Sequence, residues 1–127
     1  MMDRTRVFEA QPRRLAEVRR FIAECARGGP FEQVLDDLLI ATSEASANAV
    51  LHSGTRQFRV TWHEDADSVV IMVTDDGVYG PGVGMPEADS TSHRGIQLMS
   101  RTMSEITIRK GTPDHVGTEV RMVRTIG

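Results

Sequence analysis

The sequence of 127 residues has one cysteine, no long apolar run and no strong excess of either charge. The single cysteine, Cys25, excludes an internal disulfide and fits a reducing compartment. The N-terminal residues have no apolar segment of the signal-peptide type, so we expect a cytoplasmic protein with no membrane partner. A formal net charge of −3 predicts no particular affinity for nucleic acid.

The residues that are present are those of a globular protein. Apolar residues make up 39% of the chain and charged residues 26%, which is typical of soluble domains. The length predicts one domain over residues 1–127, large enough to bury a hydrophobic core. The arginines of the stretch "RRLAEVRR" are balanced by acidic residues nearby, so they predict a solvated helix face rather than a nucleic-acid contact.

The first half of the sequence predicts one strand followed by two helices. Residues 4–10 are predicted to form the strand, and Pro12 opens the first helix. The apolar residues of this helix recur every three or four positions: Leu15, Val18, Ile22 and Cys25. The same pattern predicts that the Cys25 thiol is packed in the core. The segment 28–30, "GGP", ends this helix, and the second helix is expected over residues 31–53, with Gly54 as its C-terminal cap. Its buried stripe comprises Val34 or Leu35, Leu38, Ala41 or Thr42, Ala45 and Ala49.

The second half changes to the period of two that marks strands. Residues 56–63 alternate in polarity, which indicates a half-buried strand. Residues 68–73 are apolar on both faces, which indicates a central strand that is either covered on both sides or deep in one layer. A loop rich in Gly, Asp, Pro and Ser spans 74–95, and loops of this length are usually functional lids or disordered. A short helix over 96–103 and two strands, 105–110 and 118–124, complete the order. This order predicts an α/β (α+β) two-layer sandwich, with three helices on one face of a mixed, mostly antiparallel sheet of about five strands.

The second helix carries a polar column near its end. Glu44, Asn48 and His52 follow one another at steps of four residues, and each step drifts by only about 40° around a helix. A carboxylate and a carboxamide on one face can hold a hydrated Mg²⁺ and a neighbouring hydroxyl, because magnesium prefers oxygen ligands. An ordinary solvated helix face explains the same pattern.

Three further segments carry potential ligand contacts. Asp75 closes the apolar strand before Gly77, where it can accept a hydrogen bond from an exocyclic amine or simply begin a turn. Gly95 stands at the mouth of the short helix, where backbone N–H groups can meet a phosphate. Gly117 and Thr118 lead into the last strand, where the hydroxyl can steady a lid or a phosphate.

The four segments, taken in this order, resemble the boxes of the GHKL or Bergerat-fold ATPases. Glu44 and Asn48 correspond to the N box, and the three glycine boxes follow as Asp75 with Gly77, then Gly95, then Gly117 with Thr118. Within that superfamily, the stretch "SEASANAVLH" is similar to the N box of the small anti-sigma-factor serine kinases, the RsbW-like group. The resemblance covers almost the whole chain.

The resemblance implies a Bergerat ATP-binding fold that takes ATP and Mg²⁺. By resemblance, Glu44 is the general base toward an incoming serine hydroxyl and Asn48 binds Mg²⁺, while His52 is expected to act at the helix end rather than in catalysis. The alanines beside the column are expected to leave room for phosphate and metal. The other nucleotide contacts fall, again by resemblance, on residues at strand ends and helix mouths: Asp75 and Gly77 for adenine, Arg94, Gly95 and Ile96 for phosphates, and Thr118 as support.

The function implied is that of an anti-sigma factor. It would sequester an alternative sigma factor and phosphorylate a serine of a STAS-type anti-anti-sigma factor, and it could form a homodimer through the first helix and strand. Tyr79 and His93 stand where the family has glycines, which favours an alternative: a degenerate module that binds partners without ATP turnover. The catalytic domain of a two-component histidine kinase is a third interpretation, disfavoured because no dimerising helical hairpin with a phosphoacceptor histidine is present.

Overall fold

A five-stranded sheet and three α-helices account for most of the backbone that the structure describes. The computed structural model describes residues 2–52, 56–76, 97–109 and 117–126, and for His52 it describes the backbone alone. The strands are β1 (Met2–Glu9), β2 (Gln57–Glu64), β3 (Ser68–Asp75), β4 (Glu105–Arg109) and β5 (Thr118–Thr125). The helices are α1 (Leu15–Ala26), α2 (Leu35–His52) and α3 (97–102).

Both long helices begin where a proline fixes the chain direction. Short 3₁₀ turns, Pro12–Arg14 and Pro30–Val34, lead directly into α1 and α2. Each turn has its proline at a first helical position, where the missing N–H costs nothing. The first turn of α2 also carries Asp36 and Asp37, whose charge favours the positive end of the helix dipole. No helix within the described ranges is both long enough and apolar enough to cross a membrane.

The described strands form a sheet in the order β1-β2-β3-β5-β4, and all four pairings are antiparallel rather than mixed. β3 therefore occupies the centre, as its apolar sequence predicts. The register brings one residue from each of four strands into a row across one end of the sheet: Phe8, Phe58, Asp75 and Thr118. We call this end of the sheet the Asp75 end.

The helices cover one face of the sheet. Along β3, the buried residues alternate with half-buried ones, and the buried set comprises Val69, Ile71, Val73 and Asp75. Paired residues of an antiparallel ladder share a face, so Val60, Trp62 and Met122 point toward the same helices. The half-buried set of β3 faces away from them. Of the described elements, none covers that second face, so β3 lies deep in one layer rather than between two.

The stripe predicted for α2 is confirmed as the inner face of that helix. Leu38, Ala41 and Thr42 are fully buried, and Ala45 and Ala49 are only 1% and 3% exposed. Both alanines belong to the hydrophobic core. The expectation that they leave room for a phosphate and a metal is therefore wrong. Their small side chains let α2 pack closely on the sheet.

The single cysteine is a packed thiol, as predicted. Cys25 lies on the inner face of α1 and is 4% exposed. Burial raises the pKa of its thiol to about 11, because the thiolate would lose its hydration. Phe21, which the helical pattern did not include, packs beside it in the core with an edge-to-face contact to Phe8, at 6.1 Å between ring centroids.

Candidate functional site

The predicted adenine-reading carboxylate lies at the end of the central strand. Asp75 is the last residue of β3, it is 8% exposed, and it occupies a position that would continue the buried series of Val69, Ile71 and Val73. A charged group at a core-facing position is unusual, since burial of an ionised carboxylate is costly without polar contacts. This placement is what the hypothesis of a ligand-reading carboxylate requires.

The predicted support residue lies directly opposite. Thr118 is the first residue of β5 and is the register partner of Asp75, and it is 6% exposed. The side chains of paired residues on one face of an antiparallel ladder have Cβ atoms about 5 Å apart. The carboxyl group and the hydroxyl group therefore adjoin on the helix-covered face at the Asp75 end.

A glycine makes this close pairing possible. Gly117, which precedes Thr118, has a φ of 113°, a conformation that residues with a side chain rarely adopt. A Cβ at this position would lie 2.8 Å from the backbone carbonyl oxygen of Asp75, which is closer than van der Waals contact permits. The sequence pattern predicts a glycine box here, and the structure gives its physical reason.

The end of α2 lies at the same end of the sheet. α2 ends at His52 and β2 begins at Gln57, so only a short connection joins them. The bond from Arg124 to Asp37 places the start of α2 beside the opposite end of β5, so the helix runs toward the Asp75 end. A chain extends by at most about 3.5 Å per residue, which keeps His52 within about 18 Å of Gln57. The next residue, Phe58, is the register partner of Asp75. The turns of α2 that carry Glu44 and Asn48 therefore approach the Asp75 end.

Glu44 and Asn48 are both half-buried on α2, which packs on β3 and β5. They lie on one side of the buried Ala45, so their side chains leave the helix at the border between its inner face and solvent. Groups at such a border can contact a ligand without losing access from outside.

Several predicted residues lie outside the described residues. They are the remaining residues of the first two glycine boxes, the two residues that replace family glycines, and the predicted cap of the second helix: Gly77, Arg94, Gly95, Ile96, Tyr79, His93 and Gly54. His52 ends α2, in keeping with the expected helix-end position, and its side chain is not described. The structure thus brings Asp75 and Thr118 together and carries Glu44 and Asn48 toward them on α2.

The side chains present fit a magnesium ion shared with phosphate. Among the described residues, no three carboxylate, imidazole or thiol groups converge as a metal site. Asn48 supplies one amide oxygen, and Mg²⁺ commonly takes one or two protein ligands together with waters and phosphate oxygens. Asn48 therefore suits an ion that arrives with a nucleotide.

One polar contact between α2 and β5 was not predicted. Nη1 of Arg124 donates a hydrogen bond to Oδ2 of Asp37 at 2.5 Å, between residues 87 positions apart in the sequence. No local pattern signals a pair so distant, because periodicity and motif spacing report only on neighbours along the chain.

Comparison with known proteins identifies the domain family of the chain. A search among curated proteins returns no match to the chain. The sequence profile of the histidine kinase-like ATPase domain matches residues 8–124, a range that begins within β1 and ends within β5. Since this match includes nearly the whole chain, the protein belongs to the histidine kinase-like ATPase domain family.

Proposed function

We propose that this chain is an ATP-dependent protein serine kinase that acts as an anti-sigma factor. One arrangement carries the proposal: α2 starts at the Arg124 end of β5 and runs, with Glu44 and Asn48, toward the end of the sheet at which Asp75 and Thr118 adjoin. ATP binding is the common property of the histidine kinase-like ATPase domains to which the chain belongs. The finer assignment depends on the sequence resemblance and on this arrangement.

Asp75 is proposed to select adenine. A buried carboxylate oxygen accepts hydrogen bonds strongly, because little water competes for it in a low-dielectric environment. The exocyclic amine of adenine is a donor of the required kind. Thr118 is proposed to support the same end of the site through its hydroxyl, and Gly77 to leave space for the base.

Glu44 is proposed as the general base and Asn48 as the Mg²⁺ ligand. Bound Mg-ATP supplies an activated phosphoryl group and a metal that neutralises phosphate charge. Glu44 accepts the proton of the serine hydroxyl while the serine oxygen forms a bond to phosphorus and the bond from phosphorus to the ADP oxygen breaks. A half-buried carboxylate at the border of a helix face has the access to a protein substrate that this role requires. The phosphate contacts are assigned by resemblance to Arg94, Gly95 and Ile96.

The proposed partners are a sigma factor and a STAS-type anti-anti-sigma factor. Phosphorylation of a serine on the anti-anti-sigma factor adds negative charge and strong acceptor oxygens at the partner interface. Such a change can release one partner and favour the other. A homodimer through α1 and β1 belongs to the same proposal.

Nucleotide binding is tested by calorimetry with Mg-ATP. Asp75→Asn should weaken binding by about tenfold or more, because the loss of a charged hydrogen bond costs about 1.5–3 kcal/mol. Asp76→Asn is the matched control, since Asp76 is the next residue and its side chain is exposed. Equal affinities of these two variants for Mg-ATP would show that the adenine assignment is wrong.

Phosphoryl transfer is tested with labelled ATP and a candidate STAS-domain protein. Glu44→Gln should lower transfer by about 10²–10⁴-fold while Mg-ATP still binds, because a general base contributes on that order to the rate. Asn48→Ala should weaken binding in the presence of Mg²⁺ as well as transfer. Ser43→Ala, on the same helix and half-buried like both residues, is the control. Tight ATP binding without transfer to any partner would reject the kinase assignment.

The second candidate function is a regulatory module without ATP turnover. Tyr79 and His93, which replace family glycines, favour it because a side chain obstructs close backbone approach to a ligand. The same calorimetry separates the two candidates. A titration with Mg-ATP that gives no heat, together with no thermal shift, would support the module and reject the kinase.

A further inference from the structure

Asp37 extends the polar column of Glu44 and Asn48 by two turns toward the start of α2. Asp37 precedes Glu44 by seven residues and Asn48 by eleven. At about 100° per residue these intervals differ from complete turns by about 20°, so the three side chains lie on one stripe of the helix. Asp37, the first member of the stripe, is joined by an ion pair to the sheet.

That ion pair is short and partly shielded from solvent. Nη1 of Arg124 lies 2.5 Å from Oδ2 of Asp37, with 23% of the arginine side chain and 40% of the aspartate side chain exposed. Arg124 belongs to β5, near the end opposite Thr118. The contact therefore joins the start of α2 to the strand that carries Thr118.

The same guanidinium nitrogen also forms a hydrogen bond with the end of α3. Nη1 of Arg124 donates to the backbone carbonyl oxygen of Thr102 at 2.5 Å. Thr102 is the last residue of α3, so its carbonyl belongs to the group that a helix leaves without an internal partner. A cation at this position also favours the negative end of the helix dipole. Because Nη1 carries two N–H groups, each acceptor receives its own hydrogen.

Nearby contacts fix the end of α3 to β5 as well. The backbone N–H of Ser104 donates to the carbonyl oxygen of Val123 at 2.7 Å, and the N–H of Thr125 donates to Oγ of Ser104 at 3.0 Å. Met99 and Met103 are buried in the core. Arg124 therefore connects Asp37 to a part of the structure that is itself held firmly.

We propose that Arg124 is a positioning residue for the nucleotide site, which it serves by fixing the rotation of α2 about its axis. This inference rests on the proposed function. With Asp37 fixed to β5, the stripe that continues through Glu44 and Asn48 faces the β5 side of the helix. Side-chain tips lie about 6 Å from a helix axis, so a rotation of about 20° would move them by about 2 Å. Errors of even 1 Å can reduce a catalytic rate by about 10²-fold.

The test compares ATP affinity with and without magnesium. Asp37→Asn and Arg124→Met remove the ion pair from either side. Arg14→Met is the control: it removes two ion pairs of similar length, from Arg14 to Glu17 and to Glu9, each at 2.6 Å. Dissociation constants for ATP are measured with Mg²⁺ and with EDTA. Asn48 is the proposed magnesium ligand, so in both test variants the factor by which Mg²⁺ increases the affinity for ATP should fall by about tenfold. The dissociation constants measured with EDTA should not change. Arg14→Met should leave both constants unchanged.

A second measurement needs no nucleotide. In ¹⁵N-labelled protein, the amide resonances of Glu44 and Asn48 should shift in Asp37→Asn and not in Arg14→Met. Asp37→Asn conserves the side-chain volume at a 40% exposed position, so it remains informative if Arg124→Met does not fold. A general loss of stability would move the unfolding temperature without changing the ratio of the two dissociation constants.

The outcomes separate this inference from the proposed function. If the unaltered chain binds Mg-ATP and both test variants keep the full magnesium-dependent gain, the inner apolar stripe alone sets the rotation of α2, and the role of Arg124 is overturned. If the unaltered chain binds no Mg-ATP, the proposed function fails and the positioning role for a nucleotide fails with it. Amide shifts in Asp37→Asn would then still show that the ion pair orients α2.

Discussion

A Cβ atom on Gly117 would lie 2.8 Å from the backbone carbonyl oxygen of Asp75. The two residues stand where β5 begins and β3 ends, and the next residue of β5, Thr118, is the register partner of Asp75. Gly117 also has a φ of 113°, which is unfavourable for a residue with a side chain. The third glycine box is therefore required by the sheet itself, whether or not a nucleotide binds.

Gly117→Ala should destabilise the chain by more than the cost of strained backbone alone. The conformation costs about 1–2 kcal/mol for an alanine, and the contact with the carbonyl oxygen of Asp75 adds to this. Urea unfolding followed by the fluorescence of Trp62, the only tryptophan and fully buried, measures the change.

Two other glycines separate the cost of backbone strain from the cost of a close contact. Gly28 has a φ of 74°, and a Cβ added there would meet no atom within 4 Å, so Gly28→Ala should show the backbone cost alone. Gly29 has a φ of −105°, and the nearest neighbours of an added Cβ lie at 3.6 and 3.7 Å, so Gly29→Ala should be nearly neutral. If Gly117→Ala proves no worse than Gly28→Ala, the close approach to Asp75 does not constrain the sheet.

Removal of two buried hydroxyl groups from α2 should stabilise the protein. Thr42 and Ser46 are fully buried, and neither hydroxyl has a hydrogen-bond partner among the described residues. A buried unpaired hydroxyl costs about 1–3 kcal/mol, so Thr42→Val and Ser46→Ala should each raise the free energy of unfolding by about 1 kcal/mol. Thr102→Val is the control, because Oγ1 of Thr102 donates to the carbonyl oxygens of Leu98 and Met99. It should destabilise. Loss of stability in all three variants would show that the α2 hydroxyls have partners.

Much of the fold could be predicted because its signals are local. The helices repeat their apolar residues every three or four positions, and β2 alternates Phe58, Val60 and Trp62, all three buried in the structure. The position of β5 between β3 and β4 could not be predicted in this way. Its place depends on long-range pairing, such as that of Val73 with Val120, which no local period records.

The same distinction between local and long-range signals applies to the candidate site. Asp75 and Gly117 could be chosen from short motifs, because a strand end and a glycine are visible in the sequence. The pairing of Asp75 with Thr118 and the bond from Arg124 to Asp37 join distant segments, so only the folded chain shows them. The sequence misleads at Ala45 because a small residue beside a polar column can serve either a ligand or close packing, and burial decides between the two.

The stability of the chain should fall as pH rises from about 9 to about 11. Burial raises the pKa of the Cys25 thiol from its ordinary 9.0 to about 11, so in this range the unfolded thiol ionises while the folded thiol keeps its proton. The folded state then binds more protons, and stability decreases with pH. Cys25→Ala removes this contribution. The urea midpoint is measured against pH for the unaltered chain and for Cys25→Ala. The difference between the two slopes gives the contribution of the Cys25 thiol, since all other groups titrate in both proteins. Parallel slopes would contradict the raised pKa.

Ala45→Leu should destabilise the chain because no space separates α2 from the sheet. Ala45 is 1% exposed and lies within the hydrophobic core, so three additional carbons must push α2 outward or strain neighbouring side chains, at about 1–3 kcal/mol. Ala16→Leu is the matched control, because Ala16 is an exposed residue of α1 and the same substitution there should change stability by less than about 0.5 kcal/mol. Urea unfolding measures both. Displacement of α2 should also carry Glu44 and Asn48 away from Asp75, so Ala45→Leu should weaken Mg-ATP binding where Ala16→Leu does not. Equal unfolding midpoints for the two variants would mean that small side chains are not what holds α2 against the sheet.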